Sequence, residues 1–349
     1  MTIALDLGAS QIRSLRRDGD RLISRAASAI YAVLADTPAH RRLLDQAGVA
    51  YLLDESHILL LGDAAAESAS LFRVPCRHLL PGGRIPALDP LARQLLSCLI
   101  EATLPVAASK GEICSLTLPS GLSLEASSSH ADIEFYSRLV RLQGYEPQVV
   151  PASQSLILAE LQSAAFTGIG LVLGASGCEA TLAHRGQPVC HAQTASGGHS
   201  IDQQLQQRGC VPSEPDDMAE PAKTVDALTA QRFRESLSLS TAAVASGPEA
   251  VVAALVRSAC EKLLAAFDTE LRRSPRADRV PQPLAVICSG GLSQTPGFAA
   301  VLADVLDSSG LRLNCLPPRI AEPSAKSILR GLLVSGELES PRDAELRAA

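Results

Sequence analysis

The chain has 349 residues, of which 46% are apolar and only 3% aromatic, and its formal net charge is −6. This length predicts two domains or one large two-lobed unit with an aliphatic core. Lysine and arginine form no cluster, which argues against nucleic-acid binding because phosphate recognition needs a concentrated cationic surface. We find no secretory signal and no apolar run long enough to span a bilayer, so we expect a cytoplasmic protein without an integral membrane segment.

The nine cysteines are scattered along the chain and never occur as Cys-x-x-Cys. This spacing is unlike that of a structural zinc site or a disulfide framework. We therefore expect buried, reduced thiols that behave as small apolar side chains.

The first half of the chain alternates predicted strands and helices. Residues 2–34 alternate in polarity and predict a strand meander. A strand and a short helix follow at ILLLGDAAAESAS, then a Pro/Gly-rich loop at LLPGGRIPALDP and a helix from Leu91 to Leu104. The next predicted elements are a buried strand at EICSLTLP, a helix over 128–143 that ends at Gly144, a strand at EPQVVP and a helix at SQSLILAELQSAAFTG.

The second half repeats this alternation. It opens with two strands around a second LGAS, followed by helices at SIDQQLQQRG, at about 225–238 and at 248–273. LAVICSGG predicts a strand and a glycine turn, and then come a helix near 297–309, a strand at LRLNCLP and a last helix at about 323–335. Residues 210–224 are rich in proline and acidic residues and predict a mobile surface loop. The alternation indicates an α/β class with two similar lobes.

Two stretches of the chain have nearly the same pattern, LDLGASQIRSLRRDG from Leu5 and LVLGASGCEATLAHRG from Leu171. Each consists of an apolar strand, the tetrapeptide LGAS, a second strand and a turn that ends in glycine. The small residues of such a turn allow backbone N–H groups to approach phosphate oxygens. The copies differ where the first has Asp6 and the second has Val172.

The order of these motifs resembles the actin-like ATPase superfamily, which includes actin, the heat-shock chaperone ATPase domain, sugar kinases and MreB. In that family each of two related lobes begins with a hairpin whose Gly-rich turn faces the nucleotide phosphates. LDLGAS and LVLGASGCEATLAHRG resemble the two phosphate motifs, SQSLILAELQSAAFTG and PSAKSILRGLL the two connecting helices, and ICSGGLSQTPGF the adenosine motif. SGGHSIDQQLQQR is similar to a stretch of MreB, and the whole chain is most similar to a divergent MreB-like or chaperone-ATPase-like protein.

The resemblance implies a two-lobed, ribonuclease-H-like α/β fold in which each lobe has a mixed sheet with flanking helices. Lobe I would comprise residues 1–158 and 323–336, and lobe II residues 159–322, with the second phosphate hairpin and the adenosine motif. Residues 337–349 would form a disordered tail. The peripheral subdomains, which build filament contacts in the relatives, are expected to be reduced, so long filaments are not expected.

The same resemblance assigns the site residues. Asp6 and Glu179 would be catalytic, and Asp6 would also hold Mg²⁺ through a bound water. The residues expected to bind nucleotide are Gly8, Ala9, Ser10, Gly174, Ala175, Ser176, Gly177, Gly197, Gly198, Asp202, Arg234, Glu235, Gly290, Gly291 and Leu292. The alternative interpretations are a solvated aspartate at a strand end, an ordinary strand-to-helix turn and a solvated helix face.

Two positions depart from the family pattern. Val172 stands where the second phosphate motif carries an aspartate that positions the metal, and Pro151-Ala152-Ser153 lacks the carboxylate that helps to orient the attacking water. Hydrolysis in this family depends on metal placement and water orientation. We therefore expect ATP or ADP to bind, with Mg²⁺ binding weak or lost and hydrolysis very slow or absent.

Two other functional classes remain open. The chain could be a pseudo-ATPase scaffold that acts through a protein partner, which the sequence does not identify. It could also be a small-molecule kinase of the same superfamily, although no candidate aspartate base is found in the sequence.

Overall fold

The computed structural model describes residues 2–86, 89–120, 127–211, 227–239, 247–322 and 324–339. The strands are β1 (Thr2–Leu7), β2 (Gln11–Asp18), β3 (Arg21–Ser28), β4 (Ile30–Ala35), β5 (Leu52–Asp54), β6 (His57–Leu61), β7 (Arg77–His78), β8 (Ile113–Thr117), β9 (Glu146–Val149), β10 (Gly168–Leu173), β11 (Cys178–His184), β12 (Gln187–Thr194), β13 (Val286–Ser289) and β14 (Arg319–Ile320). The helices are α1 (Pro38–Ala47), α2 (Asp63–Phe72), α3 (Pro90–Thr103), α4 (Ser127–Leu142), α5 (Ala152–Glu160), α6 (Gly198–Gln207), α7 (Ala227–Ser236), α8 (Pro248–Arg273), α9 (Phe298–Ser308) and α10 (Ser324–Glu339).

Two five-stranded sheets of the same topology form the centres of the two lobes. Their strand orders are β3-β2-β1-β8-β9 and β12-β11-β10-β13-β14. In each sheet the central strand pairs antiparallel with its hairpin partner and parallel with the strand on its other side. The repeated sequence pattern is therefore a repeat of sheet topology, and the prediction of a two-lobed α/β fold with mixed sheets is confirmed.

The two central strands are buried along their whole length. Every residue of β1 and of β10 is buried. A strand that is covered by helices on both faces has a nearly continuous apolar sequence instead of an alternating one. TIALDL and GIGLVL have this character, and Asp6 is the one charged residue in either strand.

Helices α5 and α10 join the lobes. Helix α10 packs on β1 and β8 of the first sheet, α5 packs on β10 and β11 of the second, and the two helices contact each other. Apolar side chains such as Leu156, Ile157, Leu329 and Leu332 form the core between them. A Cβ atom on Gly331 would overlap the backbone carbonyl of Ser155. Glycine therefore allows the helix axes to approach closely.

The predicted lobe boundary at residue 158 lies inside α5, which runs without interruption from Ala152 to Glu160. This helix packs on the second sheet. The chain thus crosses from the first sheet to the second just after β9, at Pro151, and returns at the start of α10.

A smaller sheet, in the order β5-β6-β4-β7, forms the peripheral part of the first lobe together with α1 and α2. Helix α1 was not anticipated from the sequence. Its terminal signals are clear, because the Thr37 hydroxyl accepts a hydrogen bond from the N–H of His40, Pro38 occupies the first turn, and Gly48 ends the helix at a φ of 67°. The start and stop residues could have revealed it.

The strand predicted at LRLNCLP does not form. Only a single bridge, between Leu284 and Cys315, connects this segment to its neighbour. Pro281 and Pro283 lie on the facing segment, and proline cannot donate to a strand ladder.

Two predicted segments, 210–224 and 337–349, lie largely outside the described residues. The surface loop predicted at 210–224 lies outside them from residue 212 onward. Of the tail predicted at 337–349, the first three residues belong to α10 and the others lie outside the described residues. Within the described ranges, no helix combines the length and apolar character needed to cross a membrane.

A pair of histidines forms a contact between the lobes. The rings of His78, on β7, and His199, on α6, have centroids 4.0 Å apart and planes tilted by 30°. Within the described part of the chain, the Nδ1 atoms of both rings are buried without a hydrogen-bond partner. Burial, together with the neighbouring His78 and Arg234, lowers the pKa of His199 to about 3, and burial also lowers the pKa of His78. The contact therefore requires neutral rings.

Replacing Gly331 with alanine should lower the free energy of unfolding by about 1–3 kcal/mol, because the added methyl group would push α5 and α10 apart. In an unobstructed helix the same change would stabilise by up to about 1 kcal/mol. Urea denaturation of wild type and variant measures the difference. A variant at least as stable as wild type would contradict the close contact.

The folded protein should lose stability as the pH falls from about 6.5 to 5. A histidine in the unfolded chain takes up a proton near pH 6.5, whereas His199 in the folded chain stays neutral down to about pH 3, so the unfolded state binds more protons in this window. The cost is about 2 kcal/mol between pH 7 and 5 for a histidine that stays neutral. Urea denaturation at both pH values should show a smaller loss for His199→Gln than for wild type.

The matched control for this measurement is His57→Gln, which changes an exposed histidine. This variant should lose as much stability between the two pH values as wild type does. Equal losses in wild type and His199→Gln would show that the buried ring does not couple folding to pH.

Candidate functional site

A cavity of about 320 Å³ lies between the two lobes. The turn 8–10, between β1 and β2, and the turn 174–176, between β10 and β11, both line it, and so does the turn 290–292 that follows β13. The three turns follow the carboxyl ends of β1, β10 and β13, and ligands bind outside the carboxyl ends of strands in open α/β sheets. The two LGAS turns therefore face one cleft, as the duplicated motif predicts.

Most of the residues assigned from the sequence line this cavity. They are Asp6, Gly8, Ala9, Ser10, Gly174, Ala175, Ser176, Gly198, Arg234, Glu235, Gly290, Gly291 and Leu292. Gly177, Gly197, Asp202 and Glu179 are not among the lining residues. A Cβ atom on Gly177 or Gly197 would overlap neighbouring backbone, so these glycines permit close packing behind the second turn.

The two LGAS turns carry backbone donors that the protein does not use. Within the described residues, the amides of Ala9, Ser10, Ala175 and Ser176 have no hydrogen-bond partner. Successive backbone N–H groups in a turn form a concave surface that favours anions. Two such turns on one cavity favour an elongated anionic ligand.

Each LGAS serine contacts the opposite lobe. Ser176 donates its hydroxyl to the carbonyl oxygen of Ser120, which follows β8, at 2.8 Å. Ser10 Oγ lies 3.4 Å from Nε2 of His199, on α6. Each turn is thus held to the opposite lobe by a side-chain contact beside the cavity.

Both carboxylate oxygens of Asp6 have protein partners. Thr117 donates its hydroxyl to Oδ1 at 2.8 Å, and the guanidinium of Arg13 donates to Oδ2 at 3.2 Å. Arg13 is not among the residues assigned from the sequence. The signal was available, because Asp6 and Arg13 lie directly opposite each other on the two strands that flank the first turn. Cross-strand neighbours on one face of a hairpin interact.

These contacts do not fit the magnesium site that was assigned to Asp6. Mg²⁺ requires near-octahedral oxygen coordination with carboxylates free to bind it or its waters. The oxygens of Asp6 are engaged by a hydroxyl and a cation, and the apolar Val172 lines the cavity at the second position. In the described part of the chain, no three His, Cys, Asp or Glu side chains are grouped so that the protein alone could hold a metal ion.

A buried ion pair supports the cavity beside the second LGAS turn, since a Cβ atom on Gly198 would lie 3.2 Å from Nη2 of Arg234 and 3.6 Å from Cα of Ala175. Arg234 of α7 donates from Nε to Asp202 of α6 at 2.6 Å, and both side chains are almost fully buried. Burial raises the pKa of Asp202, and the guanidinium acts against that rise. Nη1 of Arg234 is buried and has no partner within the described residues. A donor without a partner beside a cavity is available to a ligand.

Glu179 has a different environment from the one expected of a catalytic group. Its carboxylate accepts a hydrogen bond from the N–H of Ser153, at 2.5 Å, in the first turn of α5. A negative charge at a helix N-terminus satisfies free amides and complements the helix dipole. The side chain therefore caps α5, and it lines a second cavity of about 740 Å³ instead of the first.

The two cavities share a wall. Residues 118–120 and Ala152 line both of them. Behind Ala152, the Ser153 hydroxyl lies 2.7 Å from that of Thr181, which in turn lies 3.0 Å from Nδ1 of His191. His191 lines the second cavity, so hydrogen bonds run from the start of α5 to that cavity.

The chain is similar over nearly its whole length to solved structures of MamK and MreB proteins. A structure described as a MamK double helical filament has a TM-score of 0.65 and 17% identity, and the match covers 98% of this chain and 100% of that chain. MreB5 of Spiroplasma citri bound to AMPPNP has a TM-score of 0.64 and 13% identity, with 99% and 98% covered. A non-polymerising A278D mutant of MamK bound to AMPPNP has a TM-score of 0.51 and 16% identity, with 96% and 98% covered. The fold is actin-like.

The MamK comparison weakens the expectation that long filaments do not form. That expectation assumed that the peripheral subdomains, which build filament contacts in the relatives, are reduced in this chain. The match covers all of a chain whose structure is described as a filament, so length gives no reason to exclude polymerisation.

The family relationship comes from the sequence. No curated protein matches the chain in a direct sequence comparison. The family model described as Volactin matches residues 1–336. Because this match spans nearly the whole sequence, the chain belongs to the Volactin family.

Proposed function

We propose that the protein binds an adenine nucleotide in the cleft between its lobes and hydrolyses it very slowly or not at all. The observation that carries this proposal is the pair of LGAS turns on one cavity, whose amides at Ala9, Ser10, Ala175 and Ser176 have no partner among the described residues. The similar MreB5 and MamK structures bound to AMPPNP support an adenine nucleotide as the ligand.

In the proposed complex, the amides of the two turns would hold the phosphates, since they supply donors from both lobes to one anion. The nucleoside would lie between the turn 290–292 and α7, where Gln231, Arg234 and Glu235 line the cavity. Nη1 of Arg234 has no partner within the described residues and would donate to the bound nucleotide. Gln231 donates a hydrogen bond from Nε2 to the carboxylate of Glu235 at 2.9 Å, and both side chains offer further polar atoms.

The expectation of slow hydrolysis comes from the side chains near the two LGAS turns. Val172 and Ala152 line the cavity at the two positions where a catalytic member of the superfamily would place polar groups. The carboxylate of Glu179 is held by Ser153 at the start of α5 and faces the second cavity. A transition state gains stabilisation only from groups that contact it, and none of these three side chains offers such a contact.

The alternative is a pseudo-ATPase scaffold that keeps the fold and acts through a protein partner. The paired state of Asp6 supports it, since an ion pair stabilises the first turn without any ligand. We place either function in a reducing compartment such as the cytoplasm, because the structure has all nine cysteines as thiols outside disulfides.

Replacing Ala175 with aspartate should weaken ADP and ATP binding at least tenfold, because a carboxylate in the second turn repels the phosphates at close range. Adenosine, which has no phosphate, should bind wild type and variant equally. Isothermal titration calorimetry with the three ligands measures both effects. Ala300→Asp, an exposed position on α9, is the matched control and should bind all three like wild type. Failure of ADP and ATP to bind wild type at millimolar concentration would favour the scaffold.

Turnover of ATP by wild type should be on the order of 10⁻⁴ per second or slower, comparable with the unstimulated rate of a small GTPase. Single-turnover release of labelled phosphate, with protein in excess over ATP, measures it without interference from product release. Rates of about 1 per second or faster, which are typical of kinases, would show that the cleft has a catalytic arrangement that we have not identified.

A further inference from the structure

We infer that Arg13 takes the place of a divalent cation in the cleft, so that the nucleotide binds as the metal-free polyphosphate. This inference rests on the proposed nucleotide-binding function. In the actin-like superfamily, carboxylates position a metal ion. In this chain, the carboxylate of Asp6 instead contacts Arg13 and Thr117.

The guanidinium of Arg13 is held in a fixed position at the first turn. Gln11 accepts from its Nε at 3.0 Å and from its Nη2 at 2.6 Å, and Asp6 accepts from its Nη1 at 3.2 Å. All three residues line the cavity. The Arg13 side chain is 26% exposed, so it is partly desolvated yet open to a ligand.

The fork of Arg13 has donors to spare. A guanidinium carries five N–H groups. Gln11 and Asp6 use three of them, which leaves one hydrogen on each Nη without a partner among the described residues. Two Nη donors of one guanidinium match the spacing of two phosphate oxygens. The positive charge is permanent, because arginine does not lose its proton in proteins.

The charges of the cavity disfavour a divalent cation beside the first LGAS turn. Among the described residues, four charged ones line the cavity, Asp6, Arg13, Arg234 and Glu235. Glu235 pairs with Arg234, at 3.7 Å. The carboxylate of Asp6 is already paired with Arg13, and a metal ion beside that guanidinium would meet a like charge.

Arg13 therefore supplies the positive charge that the phosphates need. Because this positive charge is part of the protein, nucleotide binding does not need a metal ion. ADP or ATP should bind equally well with and without magnesium.

The first experiment compares ADP and ATP binding to wild type in EDTA and in millimolar MgCl₂ at constant ionic strength. We expect dissociation constants that agree within about twofold. Binding that is tenfold or more tighter with magnesium overturns the role of Arg13 and leaves the proposed function intact. Absence of binding under both conditions overturns the proposed function and, with it, this inference.

The second experiment uses Arg13→Gln, which keeps a polar side chain and removes the charge. In EDTA this variant should bind at least tenfold more weakly than wild type, and magnesium should restore part of the loss because the carboxylate of Asp6 is released. A merely structural role would weaken binding equally in both media. Thermal unfolding by circular dichroism checks that the variant is folded.

Arg17→Gln is the matched control. Arg17 lies on the same strand, is 59% exposed and pairs with Glu337 on α10, away from the cavity. It should bind like wild type in both media. An equal loss of binding in the two variants would show that the general positive charge of the strand, and not Arg13 itself, determines affinity.

Discussion

The close contact between α5 and α10 is the constraint on which the other features depend. Each helix packs on one of the two repeated sheets, and Gly331 allows the pair to meet backbone against backbone at Ser155. This contact holds the sheets so that the carboxyl ends of β1, β10 and β13 open onto one cleft. A bulkier residue at the contact would separate the helices and with them the two LGAS turns. The cleft is thus a product of helix packing, and the turns only line it.

Within this frame the site is stabilised mainly by contacts that the protein makes with itself. The first hairpin brings Arg13 to Asp6, α6 and α7 bring Asp202 to Arg234, and the start of α5 receives Glu179. Each carboxylate that could serve chemistry therefore has a structural partner. Paired charges in a half-buried cleft avoid the cost of an isolated ion and keep the cleft ordered without a ligand.

The fold was largely predictable from the sequence, because order and spacing of motifs survive when individual residues change. The positions of the two LGAS turns and of the turn at Gly290 followed from pattern alone. Partners were harder to predict. Arg13 could be found only by working out the register of its hairpin, and the cap formed by Glu179 depends on where α5 begins in space. The residue type limits the interactions that a side chain can make, whereas the fold determines which partner it meets.

The wall shared by the two cavities has a thermodynamic consequence. Residues 118–120 face both spaces, and Ser120 accepts the hydroxyl of Ser176 from the second LGAS turn. Any molecule that occupies the larger space and displaces this segment must change the affinity of the smaller one. By linkage, the ligand of the smaller space then changes the affinity of that molecule by the same factor. A ligand of the larger space could therefore change the affinity of the smaller space without contacting its ligand.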